Sequence, residues 1–268
     1  MKVVLSVFKR FFIERFHDQS ALMAYYFMLA IFPFLVFSFA IISLFPVQSE
    51  DVLTILEPYI PKGSFTLIED NIMGIIGRNQ TKLASFSLLA AFWIASMAVQ
   101  ALVRSMNEAY RVVRGESFFL ALGKDLILTA GLMVTLTVSL LIPIGEEIGR
   151  VFLVAHIYLP TSFYHWWTLV KWGTGSIYLF FFFLLLYKAV PSSKIRFVHA
   201  LPGAIFSTVG WQTVTIGFSY YVSYFASYTK LYGYMANMIV LMIWFYFTAA
   251  VLLIGGLINA SWMDKQLK

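Results

Sequence analysis

The stretch DQSALMAYYFMLAIFPFLVF (residues 18–37) decides the class of the fold. It leaves a polar start and enters an apolar run that extends from Ala21 to Phe45. A secretory signal has an apolar core of only about 7–15 residues before a small-residue cleavage site. A helix that crosses a bilayer needs about 20 apolar residues. The run is therefore predicted to stay in the membrane as a first transmembrane helix.

The composition of the whole chain agrees with a membrane environment. Of 268 residues, 60% are hydrophobic and 12% are charged, and the mean hydropathy is +0.81. Soluble proteins carry about 25% charged residues, so this chain has too few polar groups to cover a soluble surface. There is no cysteine, which excludes disulfides, thiolate metal sites and cysteine nucleophiles. We expect a single transmembrane domain over residues 1–268.

Charged residues mark the limits of the membrane spans. The charge-free intervals predict an all-α, polytopic membrane helix bundle with six transmembrane helices and an outer loop at 46–82. Residues 151–167 contain two histidines, a proline and neighbouring tryptophans, a mixture typical of the membrane interface, and whether they enter the membrane stays open. The six predicted spans are about 21–45, 83–103, 125–145, 168–188, 200–225 and 234–258.

The distribution of lysine and arginine predicts the orientation. With six spans, thirteen of the nineteen Lys and Arg residues fall on the side of the N-terminus. Basic residues concentrate on the cytoplasmic side of membrane proteins, so both termini are predicted to be cytoplasmic. A seventh span would move the basic segment 188–196 outside. The net charge of +6 is explained by this orientation, and no nucleic-acid partner is expected.

Amphipathic helices are predicted at both surfaces. In residues 1–18, phenylalanines and valines recur at spacings of three and four, with basic residues between them. This segment is expected to lie in the inner headgroup plane, with its phenylalanines toward lipid. The alternative is a helix packed against cytoplasmic loops. The outer loop is expected to hold two short interfacial helices.

A polar ridge follows the second span. Gln100, Arg104, Asn107 and Arg111 occur at helical spacing on a similar face. Such a ridge can line a vestibule or bind a phosphate or carboxylate headgroup. The alternative is a solvated helix end. These four residues are candidate substrate-binding residues.

Three further candidate binding residues and one structural proline lie within the spans. Pro33 removes a backbone donor, so the first span is expected to kink there, braced by neighbouring helices or facing a wet cavity. Tyr26 near the inner interface, with Gln212 and Asn237, is a candidate to line a cavity for an amphipathic molecule. The alternatives are an aromatic belt for the tyrosine and bonds between helices for the amides.

These features together resemble the YihY/BrkB family of bacterial membrane proteins, once labelled ribonuclease BN. The resemblance begins with SALMAYYFMLAIFPFLVF, continues with FWIASMAVQALVRSMNEAYRV and resumes from HALPGAIF to GGLINA. It implies six transmembrane helices in a bacterial inner membrane, a role in handling envelope components and structural roles for Gly203 and Gly233. The matching positions are Trp93, Ser96, Asn107, Tyr110, Pro202, Gly203, Trp211, Tyr221, Tyr232, Gly233, Trp244 and Tyr246.

One position departs from the family pattern. The family commonly ends its last span with a glutamate in a GAELNA-like motif, whereas this chain has GGLINA, with Leu257 in that place. Any role that depends on that carboxylate is in doubt for this chain.

The sequence predicts a protein that is not an enzyme. No HExxH, GxSxG or GxxxxGK[ST] motif occurs, and the four histidines are scattered, so no catalytic residue, metal site or cofactor is expected. Membrane lipids are the expected partners.

Three functions remain open. The first is a translocator of lipids or lipid-linked amphipathic substrates, and the second is a scaffold for envelope-assembly proteins. The third, a small-ion or solute transporter, is less favoured, because no charged residue lies near the middle of a span. A continuous cavity would favour the translocator and a tightly packed bundle the scaffold. An oligomer is compatible with each function.

Overall fold

The computed structural model describes residues 2–42, 81–156, 162–193, 195–225 and 234–266. All regular secondary structure in these ranges is α-helical. The N-terminal segment has apolar residues at spacings of three and four, which is the pattern of an amphipathic helix. The segments after it are long apolar runs without interior charges. In lipid every backbone polar group must be bonded within its own segment, so these runs also form helices. The helices are α1 (Lys2–Ile13), α2 (Phe16–Ile42), α3 (Thr81–Ala109), α4 (Phe118–His156), α5 (Ser162–Ala189), α6 (Phe197–Phe225) and α7 (Tyr234–Gln266).

The five predicted spans from 83–103 onward lie on the long helices α3 to α7, and residues 21–42 of the first lie on α2, whereas residues 43–45 lie outside the described part of the chain. Within the described residues, three segments are long and apolar enough to cross a membrane, namely Phe118–Ser139, Trp172–Ala189 and Met238–Met263. They fall on α4, α5 and α7. The chain is thus a helical membrane protein. The outer-loop residues 46–80 and Gly233 lie outside the described part of the chain.

Helix α4 is longer than the sequence predicted. It continues to His156, beyond the expected end of the span at 145, and α5 begins at Ser162. Glu146 and Glu147 end the apolar run, but two carboxylates do not interrupt backbone hydrogen bonding along a helix. The segment 151–167 is therefore helical at both of its ends.

The buried core lies at one end of the bundle, which we call the α1 end. Here α2, α4 and α6 begin and α3, α5 and α7 finish, and α1 lies against this end of α7. Helix α2 packs between α3 and α7, and α6 packs between α5 and α7. The largest fully buried side chains at this end are those of Phe16, Met23, Met106, Tyr187, Leu253 and Leu257.

Glycines allow α6 and α7 to approach closely. A Cβ atom at Gly203 would overlap the backbone oxygen of Gly255 and the side chain of Asn259. A Cβ atom at Gly255 would overlap the hydroxyls of Tyr187 and Ser207. In lipid, small residues permit such backbone contact between helices. The Gly203 amide also donates a hydrogen bond of 2.6 Å to Asn259 Oδ1, which joins the two helices.

Helix α1 packs on one side and is open on the other. Val7 and Phe11 are buried, and Arg10 is only 9% exposed. Arg10 Nη2 donates to the backbone oxygen of Ala109 at 2.9 Å. On the other side, Leu5, Phe8, Phe12 and Ile13 are exposed. One face of α1 thus packs against the bundle, and the opposite apolar face is available to lipid.

Candidate functional site

A cavity of about 840 Å³ lies inside the bundle. Sites for small ligands typically measure about 300–1,000 Å³, so the volume suits a ligand. Each of the six long helices contributes to its wall. The lining includes Phe27, Ala30 and Phe34 of α2; Ala95, Ala98 and Leu102 of α3; Leu132, Met133 and Leu136 of α4; Trp172, Gly175 and Leu186 of α5; Trp211 and Ile216 of α6; and Trp244 and Leu252 of α7.

The cavity wall is apolar and aromatic. Trp211 and Trp244 meet edge to face, with ring centroids 6.1 Å apart. Small residues leave the space open, since a Cβ atom at Gly175 would have no neighbour within 4 Å. None of the described lining residues is Asp, Glu, Lys, Arg or His. The wall therefore suits an aliphatic guest and offers nothing that neutralises an ion.

Seven neutral polar residues among the described lining interrupt this wall. Thr129, Ser139 and Tyr178 lie on α4 and α5, and the other four, which we call the polar patch, are Ser176, Gln212, Thr215 and Thr248. Gln212 Nε2 donates to Ser176 Oγ at 2.7 Å, and Ser176 Oγ donates to the backbone oxygen of Trp172 at 2.8 Å. Within the described part of the chain, the buried hydroxyls of Thr215 and Thr248 have no hydrogen-bond partner. Both hydroxyl oxygens are inaccessible, so these two threonines line the cavity through their other atoms.

A tightly packed layer lies beyond the cavity at the α1 end. Tyr187 Oη lies 2.5 Å from Ser207 Oγ and donates to the backbone oxygen of Leu252 at 2.8 Å. Tyr187 and Leu253 are fully buried, and each follows a lining residue in the sequence. The described lining ends at this layer, so the cavity is closed toward the α1 end.

The structure places one predicted binding residue in the cavity, Gln212. Tyr26 is half-buried and packs 5.6 Å from the ring of Tyr25, outside the described lining. Gln100 donates to Ser96 Oγ at 3.4 Å, and Arg104 is exposed. Neither of these two residues contacts the cavity.

The other two residues of the polar ridge, Asn107 and Arg111, make hydrogen bonds to residues at the α1 end. Asn107 is buried; its Nδ2 donates to Ser192 Oγ at 2.9 Å, and its Oδ1 accepts from the Ser192 amide at 2.8 Å. Arg111 has a positive φ of 54° and donates to Glu14 Oε1 at 3.2 Å. The ridge is thus separated from the cavity, and two of its members join α3 to other elements.

The remaining predicted positions are described only in part. Helix α2 continues through position 33, and Ala30, Ile31 and Phe34 around it line the cavity, whereas the side chain of Pro33 lies outside the described residues. Position 237 lies on α7, and the side chain of Asn237 is likewise not described. Among the described residues, no group of three His, Asp or Glu side chains is placed to hold a metal ion.

Sequence reasoning missed Ser176, Thr215 and Thr248. A signal for them exists, because three helices carry a tryptophan followed four residues later by serine or threonine: Trp172 with Ser176, Trp211 with Thr215 and Trp244 with Thr248. Residues four apart share one face of a helix. All six line the cavity.

Comparison with known proteins identifies relatives along nearly the whole chain. YfkH of Bacillus subtilis (strain 168), named as ribonuclease-like, is 36% identical over 263 residues, which is 97% of this chain and 94% of that protein. A UPF0761 membrane protein of Tolumonas auensis is 27% identical over 97% of this chain and 86% of that protein. One of Aliivibrio salmonicida is 30% identical over 92% and 79%. No solved structure matches the chain.

The family model described as Virulence factor BrkB matches residues 7–267. This match covers α2 to α7 in full and α1 from residue 7, and it includes the polar patch and the glycine contact between α6 and α7. The chain therefore belongs to the BrkB family of membrane proteins.

Proposed function

We propose that the chain is a translocator of lipids or lipid-linked amphipathic substrates in a bacterial inner membrane. It crosses the membrane six times in this proposal, with both termini in the cytoplasm. The observation that carries the proposal is the central cavity of about 840 Å³ to which all six long helices contribute.

Protein interiors normally pack as densely as organic crystals, so a large, partly open space between the packed helices needs a reason. A cavity walled by Leu, Met, Phe and Trp does not hold water well, whereas an aliphatic chain fills it without loss of hydrogen bonds. A scaffold that only recruits envelope-assembly proteins has no use for such a space. The cavity therefore supports transport over the scaffold.

The charges support lipid over small ions. No described lining residue is ionised, and ion pathways through membranes usually include Asp, Glu, His or basic residues. Arg104 is an exposed cation of the polar ridge, and it is proposed to meet a phosphate headgroup at the membrane surface. In this proposal membrane lipids are the partners, and the protein is not an enzyme.

A pair of glycines on α5 provides the test. Gly175 lines the cavity, whereas Gly173 does not, and a Cβ atom at either position meets nothing within 4 Å. Gly175→Leu places a larger side chain in the cavity wall at a position where its Cβ atom meets nothing, and Gly173→Leu makes the same change in helix propensity elsewhere on the helix. The variants are reconstituted in liposomes, and movement of fluorescent phospholipid between leaflets is measured.

We expect the unaltered chain and Gly173→Leu to move lipid, and Gly175→Leu to lose most of this rate. If liposomes that contain the unaltered chain move lipid no faster than protein-free liposomes, translocation is excluded and the scaffold becomes the better proposal. If both leucine variants lose the rate equally, the cavity is not the pathway.

A further inference from the structure

The cavity is partly open on one side of the bundle. Three of its described lining residues are exposed, namely Leu136 on α4, Trp172 on α5 and Ile216 on α6, and Trp172 is 59% exposed. The described lining residues on α2, α3 and α7 are all buried or half-buried. The wall is therefore open on the side of α4, α5 and α6 and closed toward the other three helices.

Two boundaries between helices lie on this side, and the one between α4 and α5, which we call the α4–α5 seam, is the looser. Within the described residues, α5 packs closely against α6 and only sparsely against α4, although α4 and α5 follow each other in the chain. The neighbouring pairs from α3 through α2 and α7 to α6 also pack closely. The seam is thus the place where the ring of six helices can open with the least loss of packing.

A hydrogen bond from Tyr178 crosses the seam. Tyr178 lies on α5 and lines the cavity, and its hydroxyl donates to the backbone oxygen of Thr135 on α4 at 2.5 Å. The Thr135 oxygen lies in the interior of α4, so it keeps its bond within the helix when the tyrosine leaves. Hydrogen bonds between helices in a membrane are weak, because the separated groups find other partners. The seam can therefore open without unfolding either helix.

The outer surface beside the seam is apolar. Val134 and Ile177, which directly precede Thr135 and Tyr178, are exposed, and so are Val138 and Phe181 one turn further along each helix. These residues belong to the segments Phe118–Ser139 and Trp172–Ala189, which are long and apolar enough to cross a membrane. Lipid tails therefore surround this surface, and an opening in it admits hydrocarbon rather than water.

We propose that the α4–α5 seam is a lateral opening through which a hydrocarbon chain of a bilayer lipid enters the cavity, and that Tyr178 holds it closed. The headgroup stays outside, because no described lining residue carries a charge that would pair with it. This proposal rests on the proposed function. It adds the route by which the lipid enters and the part of the lipid that enters.

The opening is tested by locking the seam, since the chain has no cysteine of its own. Thr135→Cys with Tyr178→Cys places one thiol on each side, and a short bifunctional thiol reagent joins them in detergent before any labelled lipid is added. The matched control joins α6 to α7 through Gly210→Cys and Val251→Cys, where a Cβ atom at Gly210 would lie 3.1 Å from Val251 Cγ1. Neither control residue belongs to the described lining.

Entry is measured by photolabelling in liposomes that contain phosphatidylcholine with a diazirine in one acyl chain. Leu102 and Phe245 line the cavity and are buried, so a chain reaches them from inside the cavity. Phe181 is exposed and outside the described lining, so surrounding lipid labels it in every sample. Peptide mass spectrometry compares each variant with and without the reagent. We expect the locked seam to lower labelling of Leu102 and Phe245 at least fivefold relative to Phe181, and the locked control pair to leave it unchanged.

Tyr178→Phe removes the hydroxyl and keeps the ring. When the labelled lipid is added just before irradiation, this variant is expected to raise labelling of Leu102 and Phe245 about threefold, the factor for one hydrogen bond between helices in a membrane. Tyr220→Phe is the matched control, since Tyr220 on α6 is exposed and outside the described lining. Tyr178→Phe needs no cross-link, so it tests the seam even where the cysteine pair fails to fold.

Unchanged labelling of Leu102 and Phe245 in the locked seam overturns this inference. So does an equal loss in both locked pairs, because entry would then depend on motion of the whole bundle. Equal labelling in Tyr178→Phe and Tyr220→Phe removes the role of the tyrosine.

Failure of the opening and failure of the function are distinguishable. A chain whose cavity is labelled only while the seam is unlocked, but which moves no lipid between leaflets, contradicts the proposed function and supports the opening. A chain that moves lipid equally well with the seam locked contradicts the opening and supports the function.

Discussion

Gly203 stabilises the contact between α6 and α7 in two ways: it has no side chain to hold the helices apart, and its backbone amide makes a hydrogen bond between them. Its amide donates to Asn259, which is fully buried, and its Cα faces the Gly255 oxygen on α7. Without a hydrophobic driving force between helices in lipid, association depends on such close packing and on interhelical hydrogen bonds. A single methyl group here would separate the two helices and lengthen the hydrogen bond.

We predict that Gly203→Ala lowers the free energy of unfolding by about 1–3 kcal/mol, the usual cost of overpacking. The control is Gly217→Ala on the same helix, where a Cβ atom meets nothing within 4 Å. This control is expected to be neutral or to stabilise by about 0.5–1 kcal/mol, because alanine favours helix. Thermal unfolding in detergent measures both, and equal stability of the two variants would contradict the close contact.

Asn107 joins α3 to the connection between α5 and α6. Both hydrogen bonds of its side chain reach Ser192, which lies 85 positions later in the chain. Helical spacing showed that Asn107 shares a face with Arg104 and Arg111, but spacing contains no information on a partner so distant in sequence. The sequence therefore predicted a polar position there and not its partner.

We predict that Asn107→Ala destabilises the fold by about 1–3 kcal/mol, because it removes both hydrogen bonds between its buried side chain and Ser192. Ser192→Ala removes only the hydroxyl acceptor and is expected to cost less. Melting temperatures of the purified variants measure the difference. A variant Asn107→Ala that keeps full stability but loses lipid transport would instead support the substrate-binding role predicted from the sequence.

Among the helices, α1 is joined to the bundle by a buried arginine. Arg10 Nη2 binds the backbone oxygen of Ala109, the last residue of α3, and its Nε contacts Glu14 at 2.9 Å. A cation at a helix C-terminus is favoured by the helix dipole and satisfies a carbonyl that lacks an intrahelical partner. Glu14, just after α1, also accepts from Arg111, which lies two residues beyond the end of α3, so this region binds both the end of α3 and the segment that follows it.

We predict that Arg10→Leu lowers the free energy of unfolding by about 1.5–3 kcal/mol, the range for hydrogen bonds to charged groups. Lys9→Leu removes the neighbouring, exposed cation and is expected to change stability by less than about 0.5 kcal/mol. Chemical unfolding in mixed micelles measures both variants. Equal effects would mean that Arg10 contributes only general positive charge.

Helix positions followed from the sequence more closely than helix ends. Apolar runs locate the long helices because each must satisfy its own backbone in lipid. The end of α4 was misplaced because Glu146 and Glu147 limit hydropathy and do not limit the helix, which reaches His156. The charges were used to predict where a membrane span ends, and the helix extends past that predicted limit.

At the scale of the molecule, the bundle has a tightly packed layer at the α1 end and, next to it, the layer that contains the cavity. Tyr187 and Met106 are fully buried, and the cavity begins at Leu102, one turn before Met106, and at Leu186, directly before Tyr187. A cavity is a property of the gaps between six helices, so no single segment of sequence reveals it. Leu257, at the position of the family's glutamate, is fully buried in the tightly packed layer, where an unpaired carboxylate would be costly.

The orientation of the whole molecule can be tested with single cysteines, because the chain has none of its own. Ser6 on α1 and Ser117 before α4 are both exposed and are proposed to lie in the cytoplasm. Ser64 lies in the predicted outer loop 46–82. We predict that a membrane-impermeant maleimide labels Ser64→Cys in intact cells but labels Ser6→Cys and Ser117→Cys only after permeabilisation. The cysteine-free parent controls for background labelling. Labelling of Ser117→Cys from outside would reverse the orientation, and with it the side from which Arg104 meets a headgroup.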